Sequence, residues 1–403
     1  MRKDKGKMAP RYQDEDDWEY EAPRRKSSSG GKKKSSGKKS SGKGGSGKKV
    51  SAKAKARKKR KRILLFMGEI VVLAVMLLVL WGVTRTEKVG HLEIKDEEIK
   101  VNESVSEEQL EVMKGYRNVA LFGVDSTTGA LTKNTRSDSI IIASINQDTK
   151  EIRLLSVYRD TFMNLGNDKY NKCNGAYAAG GPKQAMSMLN ANLDMNIKDF
   201  VTIGFAGLID TIDALGGIPL DITNEEIHYL NDYQYCIAED LKRQYTPVSN
   251  AGMQVVDGMQ ATGYCRIRYT KGDDFKRAER QRNVLKAIMD KSKEASVGQL
   301  VDIANDVFDE VYTSFGIAEI TELLGEASQY RVVADDGFPR ADKRWSGNIG
   351  SPGDCIVPNN LADNVSWLHE FLFDESGYVP SSEVQKYSDY ITGATEKYKP
   401  KGV

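Results

Sequence analysis

An apolar run near the start of the chain limits its possible folds more than any other feature. Residues 63–83 are 21 consecutive positions that carry a single charge, Glu69. A helix of that length, at about 1.5 Å per residue, spans a bilayer core of about 30 Å. A buried helix in a globular core is the alternative, but the unequal charge on the two flanks disfavours it. The sequence predicts one transmembrane helix over residues 63–83.

The flanking charge predicts how this helix is oriented. Residues 24–62 contain 19 Lys and Arg residues and no Asp or Glu, and positively charged flanks remain in the cytoplasm. No small-residue cleavage site follows the run, which indicates an uncleaved signal anchor rather than a removed signal peptide. We therefore expect a single-pass protein of the cell membrane, with a cytoplasmic N-terminus and an extracytoplasmic domain after residue 83.

The first 62 residues form a basic segment of low complexity. They carry 24 basic and 7 acidic residues, whereas residues 63–403 carry 35 and 50, so the formal net charge of +2 hides a strong asymmetry. Repeats of Lys, Ser and Gly cannot bury a core, which predicts a disordered cytoplasmic tail over 1–62. Anionic membrane lipids are the partners that this charge favours. Nucleic acid is disfavoured because no aromatic residue is interleaved between 24 and 62.

The rest of the chain divides into a short acidic stalk over 84–115, one large domain over 116–375 and a C-terminal tail without a strong pattern over 376–403. The large domain is long enough to bury one substantial core. Apolar, β-branched runs predict strands at 118–124, 139–146, 152–158, 200–204, 218–222 and from 355 onward. Helical periodicity predicts helices near 182–193, 205–215, 274–291, 297–311, 317–328 and up to 373. This alternation predicts an α/β domain with a central mixed β-sheet flanked by helices.

Polar residues occur where the first three strands of this domain begin or end. Asp125 follows the first strand, Asp138 precedes the second and Arg159 follows the third. Ligands of open α/β sheets bind beyond the carboxyl ends of the strands, so we expect these side chains to lie close together. A further strand is predicted at 264–269, where the alternation of side chains places Arg266 and Arg268 on one face.

The helix predicted at 274–291 carries a second polar cluster. Its apolar stripe consists of Val284, Leu285, Ile288 and Met289. Arg277 and Gln281 lie four residues apart and continue the edge of that stripe, so they are expected to face the site. Arg282 turns away from the edge and is expected to be solvated.

The arginines of these clusters indicate the kind of ligand. A guanidinium group is planar and always charged, and it matches two phosphate oxygens at once. One arginine near a strand end is usually a surface charge, but six in one domain favour a diphosphate site. The six are Arg136, Arg159, Arg266, Arg268, Arg277 and Arg280. Asp125 and Asp138 lie among them, and such carboxylates suit a hard cation, Mg²⁺ or Mn²⁺.

Other chemistries have little support in the sequence. The three histidines, His91, His228 and His369, are far apart, and no serine has an evident partner base, which disfavours a nucleophilic hydrolase. The four cysteines lack the spacing of a zinc site. Outside the membrane they permit disulfides, but their positions give no connectivity.

Six motifs, in this order, resemble the series of the LytR–CpsA–Psr family. They are Arg136-Ser-Asp138-Ser-Ile, Ser156-Val-Tyr-Arg159-Asp-Thr, Ala214-Leu-Gly-Gly-Ile-Pro219, Asp257-Gly-Met-Gln-Ala261, Arg266-Ile-Arg268-Tyr and Asp274-Phe-Lys-Arg277-Ala-Glu-Arg280-Gln281-Arg282. The resemblance covers residues 116–375, and the short tail, single span and external domain also fit it. Tyr158 stands where the family often has Pro.

The resemblance implies a bacterial phosphotransferase that moves a phosphate-linked glycopolymer from an undecaprenyl diphosphate carrier to peptidoglycan in cell-wall assembly. Teichoic acid or capsular polysaccharide is the usual cargo. By their places in the motifs, Asp125 and Asp138 would hold magnesium. The diphosphate would be bound by Arg136, Arg159, Arg266, Arg268, Arg277 and Gln281, with Arg280 beside them. Catalysis would rest on Asp138, Arg159, Arg266, Arg268 and Arg277.

Two other functions remain open from the sequence. One is a membrane-anchored regulator of the transcription-attenuator type, although the tail contains no helix-turn-helix pattern. The other is a polyprenyl-diphosphate binding protein or hydrolase, which needs the same contacts to the phosphates. The residues identify neither the polymer and acceptor nor the oligomeric state.

Overall fold

The computed structural model describes residues 90–125, 131–132, 135–270 and 272–402. The basic tail, the apolar run 63–83 and the first residues of the predicted stalk lie outside the described residues. In the part that is described, no helix is both long and apolar enough to cross a membrane.

A mixed β-sheet of seven strands forms the centre of the described residues. The strands of the described residues, in chain order, are β1 (Gly90–His91), β2 (Tyr116–Val124), β3 (Ser137–Asn146), β4 (Glu151–Val157), β5 (Phe162–Asn164), β6 (Tyr170–Lys172), β7 (Asp199–Ile203), β8 (Ile218–Ile222), β9 (Gly252–Val256), β10 (Val311–Thr313), β11 (Arg331–Phe338), β12 (Arg344–Asn348) and β13 (Asp354–Pro358). Among them, three two-stranded pairs, β5-β6, β8-β9 and β12-β13, are separate from the seven-stranded sheet. The order across the sheet is β1-β10-β7-β2-β3-β4-β11. β1 runs parallel to β10, β7 to β2 and β4 to β11, and the other neighbours are antiparallel.

Helices cover both faces of this sheet. In chain order they are α1 (Glu107–Lys114), α2 (Gly175–Leu193), α3 (Phe205–Ala214), α4 (Asn224–Leu241), α5 (Gly258–Arg266), α6 (Asp273–Ser292), α7 (Val297–Val307), α8 (Ile317–Gly325), α9 (Leu361–Phe373) and α10 (Ser382–Thr395). Ile140 and Ile142 of β3 join the main core, to which α2, α9 and α10 contribute, whereas Ile141 packs toward Leu285 and Met289 of α6. Strands that are buried on both faces are apolar throughout, which explains the unbroken hydrophobic run in β3.

The sequence located most elements correctly. The α/β class and the mixed sheet flanked by helices are confirmed, and the first three predicted strands correspond to β2, β3 and β4. The strand predicted at 264–269 is wrong, because α5 continues to Arg266. Asp257 starts that helix with a capping box, in which its side chain accepts a hydrogen bond from the Gln260 amide. Ala261 and Tyr264 then bury the helix in the cluster that also contains residues of α3 and α4.

The segments on either side of the predicted domain also join the folded core. Val105 and Met113, in the predicted stalk, are buried in the main hydrophobic cluster. The expectation of a patternless C-terminal end is wrong for Ser382–Thr395, which forms α10. Val384 and Ile391 lie seven residues apart on one face of this helix and are fully buried.

Candidate functional site

A cleft opens at the edge of the sheet where β2 and β4 end and β3 begins. The strand register brings these ends together, since Val124 of β2 lies opposite Ser137 and Ser156 of β4 lies opposite Ile141. The cleft lining includes Asp138, Arg159, Asp274, Arg277 and Gln281. The sheet edge and the first turns of α6 therefore bring four of the predicted site residues to one place.

Asp138 and Arg159 form an ion pair in the cleft. The Nη1 of Arg159 donates to Asp138 Oδ1 over 2.7 Å, and its Nε lies 3.3 Å from Asp160 Oδ2. Burial opposes the charge on Asp138, but the attraction of Arg159 and Arg277 lowers its pKa. Burial also opposes the charge on Arg159, yet Asp138 and Asp160 raise its pKa. Both side chains are therefore charged at neutral pH.

Asp274 connects two further arginines to this pair. Its Oδ1 lies 3.2 Å from Arg268 Nη2 and 3.1 Å from Arg277 Nη2. Asp274 and Arg277 are three residues apart in the first turns of α6, so the helix itself places them side by side. Burial opposes the charge on Asp274, but Arg277 and Arg268 lower its pKa. One carboxylate thus holds two guanidinium groups next to each other.

The cleft lining holds three carboxylates and two guanidinium groups, and the basic side chains that pair with it from outside give an excess of one positive charge. Among the described side chains that form these ion pairs, four basic groups accompany three carboxylates: Arg159, Lys172, Arg268 and Arg277 with Asp138, Asp160 and Asp274. Arg277 is 5% exposed, and burial together with repulsion from Arg159 lowers its pKa despite the attraction of Asp274.

Two buried N–H groups of the cleft also lack partners. Within the described residues, the Nε atoms of Arg159 and Arg277 make no hydrogen bond, and the 3.3 Å contact of Arg159 Nε with Asp160 is an ion pair only. A buried donor without an acceptor is costly. An anion with several oxygens would satisfy both donors and offset the excess positive charge.

Arg266 stands at the end of α5 on an aromatic platform. Its guanidinium lies 4.7 Å from the ring centre of Phe205 and 5.3 Å from that of Tyr233, within the range of cation–π contacts. Its Nη2 is 3.7 Å from Asp125 Oδ2. Because Asp125 directly follows β2, the structure places these two predicted residues together at the same edge of the sheet.

Arg280 has surroundings different from those of a ligand-facing residue. It is 4% exposed, and it donates to Glu226 Oε1 at 2.7 Å, to the Ile267 carbonyl at 3.1 Å and to Thr270 Oγ1 at 2.6 Å. These contacts tie the loop that carries Arg268 to α4 and α6. The role of Arg280 in diphosphate binding stays a prediction, while its contacts identify it as a support for the loop.

Arg136 and Gln281 lie at different distances from the centre of the cleft. Gln281 is part of the lining, one turn after Arg277. Arg136 is exposed, precedes β3 by one residue and is not part of the lining. The diphosphate contacts predicted for both residues stay predictions.

The expectation that Arg282 is solvated is wrong. Arg282 is 6% exposed, its Nε donates to Asp335 Oδ1 at 2.7 Å and its Nη1 donates to Ser156 Oγ at 2.8 Å. Helix α6 packs against the sheet on one side and against α3, α4 and α5 on another. It therefore buries more than one stripe, and a charge is tolerated there because β11 supplies a carboxylate.

Sequence reasoning misses two contributors to the cleft. Asp274 has a local signal, because an acidic residue three positions before Arg277 faces it in a helix. Arg344 has none, since it approaches from β12 and packs on rings beside the cleft. Its guanidinium stacks 3.8 Å from the ring centre of Phe275 and 4.9 Å from that of Tyr158, which lines the cleft.

The carboxylates predicted for a divalent cation are Asp125 and Asp138. In the described chain, no cluster of three or more His, Cys, Asp and Glu side chains fits a metal ion. Magnesium commonly takes one or two carboxylates, keeps several waters and obtains its other ligands from phosphate oxygens. The ionised Asp138, beside a pocket suited to an anion, fits that donor set, and the magnesium site stays a prediction.

Comparison with known proteins identifies the family. The model of the LytR_cpsA_psr family matches residues 82–344. Biofilm regulatory protein A of Streptococcus mutans is 30% identical over 304 residues, which is 67% of this chain and 72% of that protein. The polyisoprenyl-teichoic acid–peptidoglycan teichoic acid transferase TagU of Enterococcus faecalis is 31% identical over 223 residues, which is 54% of this chain and 68% of that protein.

A solved structure shares the fold. The structure described as "TagT bound to LI-WTA" superposes with a TM-score of 0.51 at 19% identity, covering 76% of this chain and 100% of that one. At this identity the likeness supports the fold alone. Since the family model covers more than half of the sequence, this chain belongs to the LytR–CpsA–Psr family.

Proposed function

We propose that this chain is a phosphotransferase of bacterial cell-wall assembly, which moves a phosphate-linked glycopolymer from an undecaprenyl diphosphate carrier to peptidoglycan. The observation that carries the proposal is the buried Arg277, whose Nε has no hydrogen-bond partner in the described chain and which lies near Arg159 and Arg268 as well as its ion-pair partner Asp274. The name of TagU from Enterococcus faecalis, a teichoic acid transferase, supports the same activity.

The donor diphosphate would bind between Arg159, Arg268 and Arg277, with Arg266 beside it. Each guanidinium can give a phosphate two parallel charge-assisted hydrogen bonds. The buried position of Arg277 keeps water away and strengthens these bonds. The positive cluster would stabilise the charge that develops on the leaving phosphate, which is the main catalytic requirement of phosphoryl transfer.

A sugar hydroxyl of peptidoglycan would be the acceptor. Its oxygen forms a bond to the polymer-side phosphorus while the bond from that phosphorus to the bridging oxygen breaks. Undecaprenyl phosphate leaves with the bonding electrons, and the hydroxyl proton passes to Asp125 or Asp138. The lowered pKa of Asp138 makes it a weak base, so its main contribution would be to hold Arg159 in place.

Asp125 and Asp138 are also the residues that would hold Mg²⁺ or Mn²⁺. When bound, the cation would neutralise part of the phosphate charge and polarise the phosphoryl group. Both carboxylates are paired with arginines of the cleft, Asp138 with Arg159 and Asp125 with Arg266. The cation and the guanidinium groups would therefore act on the same diphosphate.

Membrane attachment would bring the cleft to its lipid-linked donor. In this proposal, residues 1–62 lie in the cytoplasm against anionic lipids, 63–83 anchor the chain, and the domain from 116 to 375 lies outside. The basic flank of the apolar run supports this orientation. Peptidoglycan, the proposed acceptor, lies on that outer side.

A transfer assay with full-length protein in detergent tests the proposal. The protein, a lipid-diphosphate oligosaccharide, peptidoglycan and Mg²⁺ should yield sugar that is covalently attached to peptidoglycan. Arg277→Lys keeps the charge but removes the planar pair of donors, so kcat/KM should fall about ten- to a hundredfold, the loss of a charge-assisted bond of about 1.5–3 kcal/mol. Arg331→Lys changes an arginine on β11 whose side chain is 64% exposed and should match the wild type.

Other products would point to other functions. Release of polyprenyl phosphate without attachment to peptidoglycan would identify a hydrolase, and binding without turnover would identify a binding protein. If Lys were tolerated equally at 277 and 331, the diphosphate would bind elsewhere. Removal of Mg²⁺ with a chelator should abolish transfer, and unchanged rates would contradict the metal site.

A further inference from the structure

We propose that Arg282 is a positioning residue, which sets the separation between α6 and β4 and so aligns Arg277 and Gln281 with Arg159. Arg282 does not itself line the cleft, although its partner Ser156 does. Its two hydrogen bonds instead end on the two strands next to the cleft. The inference rests on the proposed function, since it concerns how the diphosphate site of that function is held together.

The contacts of Arg282 join three elements at one point. From α6, its Nε bonds to Asp335 of β11 at 2.7 Å and its Nη1 bonds to Ser156 of β4 at 2.8 Å. β4 and β11 are parallel neighbours in which Ser156 lies opposite Gly337. The guanidinium therefore spans both strands, and only its planar fork has donors in two directions for this purpose.

The anchored atoms are close in sequence to the groups that would bind the diphosphate. Ser156 is 2% exposed, lines the cleft and comes three residues before Arg159. Arg282 directly follows Gln281 and comes five residues after Arg277. A shift of α6 along or away from β4 would therefore change the distance between Arg159 and Arg277, and small displacements in a preorganised site reduce activity strongly.

Apolar contacts alone would define the position of α6 on β4 less closely. Leu285 and Met289, on the same side of α6 as Arg282, pack toward Ile152 and Leu154 of β4. Such contacts are non-directional, whereas the two hydrogen bonds of Arg282 have fixed lengths and angles. Asp335 is partly exposed and keeps Lys286 as a second partner, so loss of Arg282 leaves no uncompensated buried charge, and its effect is expected in alignment more than in stability.

Arg282→Met separates alignment from folding. Methionine fills a similar volume without polar atoms, and Asp335 keeps its second partner, because Lys286 Nζ donates to its Oδ2 at 2.7 Å. We expect the full-length variant to unfold at nearly the wild-type temperature. Its Kd for geranyl diphosphate should rise roughly tenfold or more, and its KM for peptidoglycan should stay unchanged. In Arg282→Lys, the lysine can reach only one of the two acceptors. Its Kd for geranyl diphosphate should lie between those of the wild type and Arg282→Met.

Lys286→Met is the matched control. It removes a cation from the same carboxylate and the same helix but has no contact with Ser156, and its side chain is already 32% exposed. It should bind geranyl diphosphate like the wild type. A purely structural role for Arg282 would lower only the folded fraction, which leaves the Kd of the folded molecules unchanged.

Two results would overturn the inference: wild-type affinity in Arg282→Met, or an equal loss of affinity in Lys286→Met. If Arg282→Met does not fold, the affinity of Arg282→Lys is measured instead. Wild-type affinity in Arg282→Lys would then overturn the inference. The readout is binding, so a protein that binds geranyl diphosphate without transferring polymer would contradict the proposed function and still give a valid comparison of these variants.

Discussion

Three arginines on α6 have different roles because they have different partners. Arg277 pairs with Asp274 in the cleft, Arg280 supports the loop after α5, and Arg282 reaches the sheet. Successive residues of a helix are rotated by about 100°, so Arg282, five positions after Arg277, points away from it, whereas Arg280, three positions after Arg277, differs from it mainly in its partners. Their chemical type is identical, and only the surroundings separate a ligand-facing arginine from a supporting one.

At this scale, Asp274→Asn should destabilise the protein in a pH-dependent way. Arg277 and Arg268 lower the pKa of Asp274 below its ordinary value of 3.8. Its charged form therefore stabilises the fold above that pH, and the contribution is lost as the pH falls through the folded-state pKa. In urea unfolding at pH 7, the variant should lose about 1.5–3 kcal/mol of unfolding free energy.

The two unfolding curves should converge below about pH 4 as the wild-type carboxylate becomes protonated. Asp342→Asn is the control, since its ion pair with Arg340 is largely exposed and such pairs contribute little. A deficit that stayed constant down to pH 2 would show that the charge of Asp274 is not what stabilises the cleft.

Helix α5 links the packing of the domain to the position of Arg266. It starts at Gly258, whose amide donates to Asp213 Oδ1 of α3 at 2.7 Å, and it ends at Arg266, which lies over Phe205 at the start of α3. The two helices are in contact along their lengths. The close approach at Gly258 therefore also determines where the guanidinium of Arg266 stands.

Gly258→Ala should disturb this pair of helices. A Cβ at position 258 would lie 2.2 Å from the carbonyl oxygen of Ile209 and 2.6 Å from its Cα, and backbone atoms cannot move aside easily. We expect a loss of about 1–3 kcal/mol in unfolding free energy from overpacking, measured by chemical denaturation.

Gly298→Ala is the matched substitution, and it should change the unfolding free energy in the opposite direction. It also lies near the start of a helix, α7, but a Cβ there would meet nothing within 4 Å. Alanine should stabilise that helix by roughly 0.4–1 kcal/mol, because it reduces the freedom of the unfolded chain. Equal effects of the two substitutions would contradict the close helix approach at Gly258.

For the whole molecule, the proposed function depends on which side of the membrane the domain occupies. The charge asymmetry between residues 1–62 and the rest of the chain favours an outer domain. The described residues add that the segment before the domain is not a separate stalk throughout, since Val105 and Met113 belong to the main core. In the proposed topology, only residues 84–89 lie between the membrane helix and the first described residue.

Protease accessibility tests this orientation. When protease is added to cells without their wall, an epitope at the C-terminus should be lost, whereas an epitope at the N-terminus should remain until the membrane is permeabilised. The physical reason is that translocating 19 basic residues between 24 and 62 is unfavourable. Protection of the C-terminal epitope in intact cells would reverse the topology and remove the proposed access to peptidoglycan.

The sequence by itself determined the class of fold and the approximate position of the site. β-Branched runs and helical periods are local signals, so β2, β3, β4 and α6 could be predicted from residues close in the chain. The site residues beside those elements followed, because strand ends at one sheet edge must lie close together. The strand predicted at 264–269 was wrong, because the capping residue Asp257 and the packing of α5 outweighed an apparent alternation of side chains.

Only the tertiary structure decided which charges line the cleft and which support the fold. Arg282 bonds to Ser156 across 126 positions and to Asp335 across 53 positions, and Arg344 packs from β12 on Tyr158, which lines the cleft. Such contacts depend on how helices and sheet pack, and a helix that is covered on several sides no longer has one buried face. Because a guanidinium group is always charged, its burial and its partners decide its role, and neither is encoded locally.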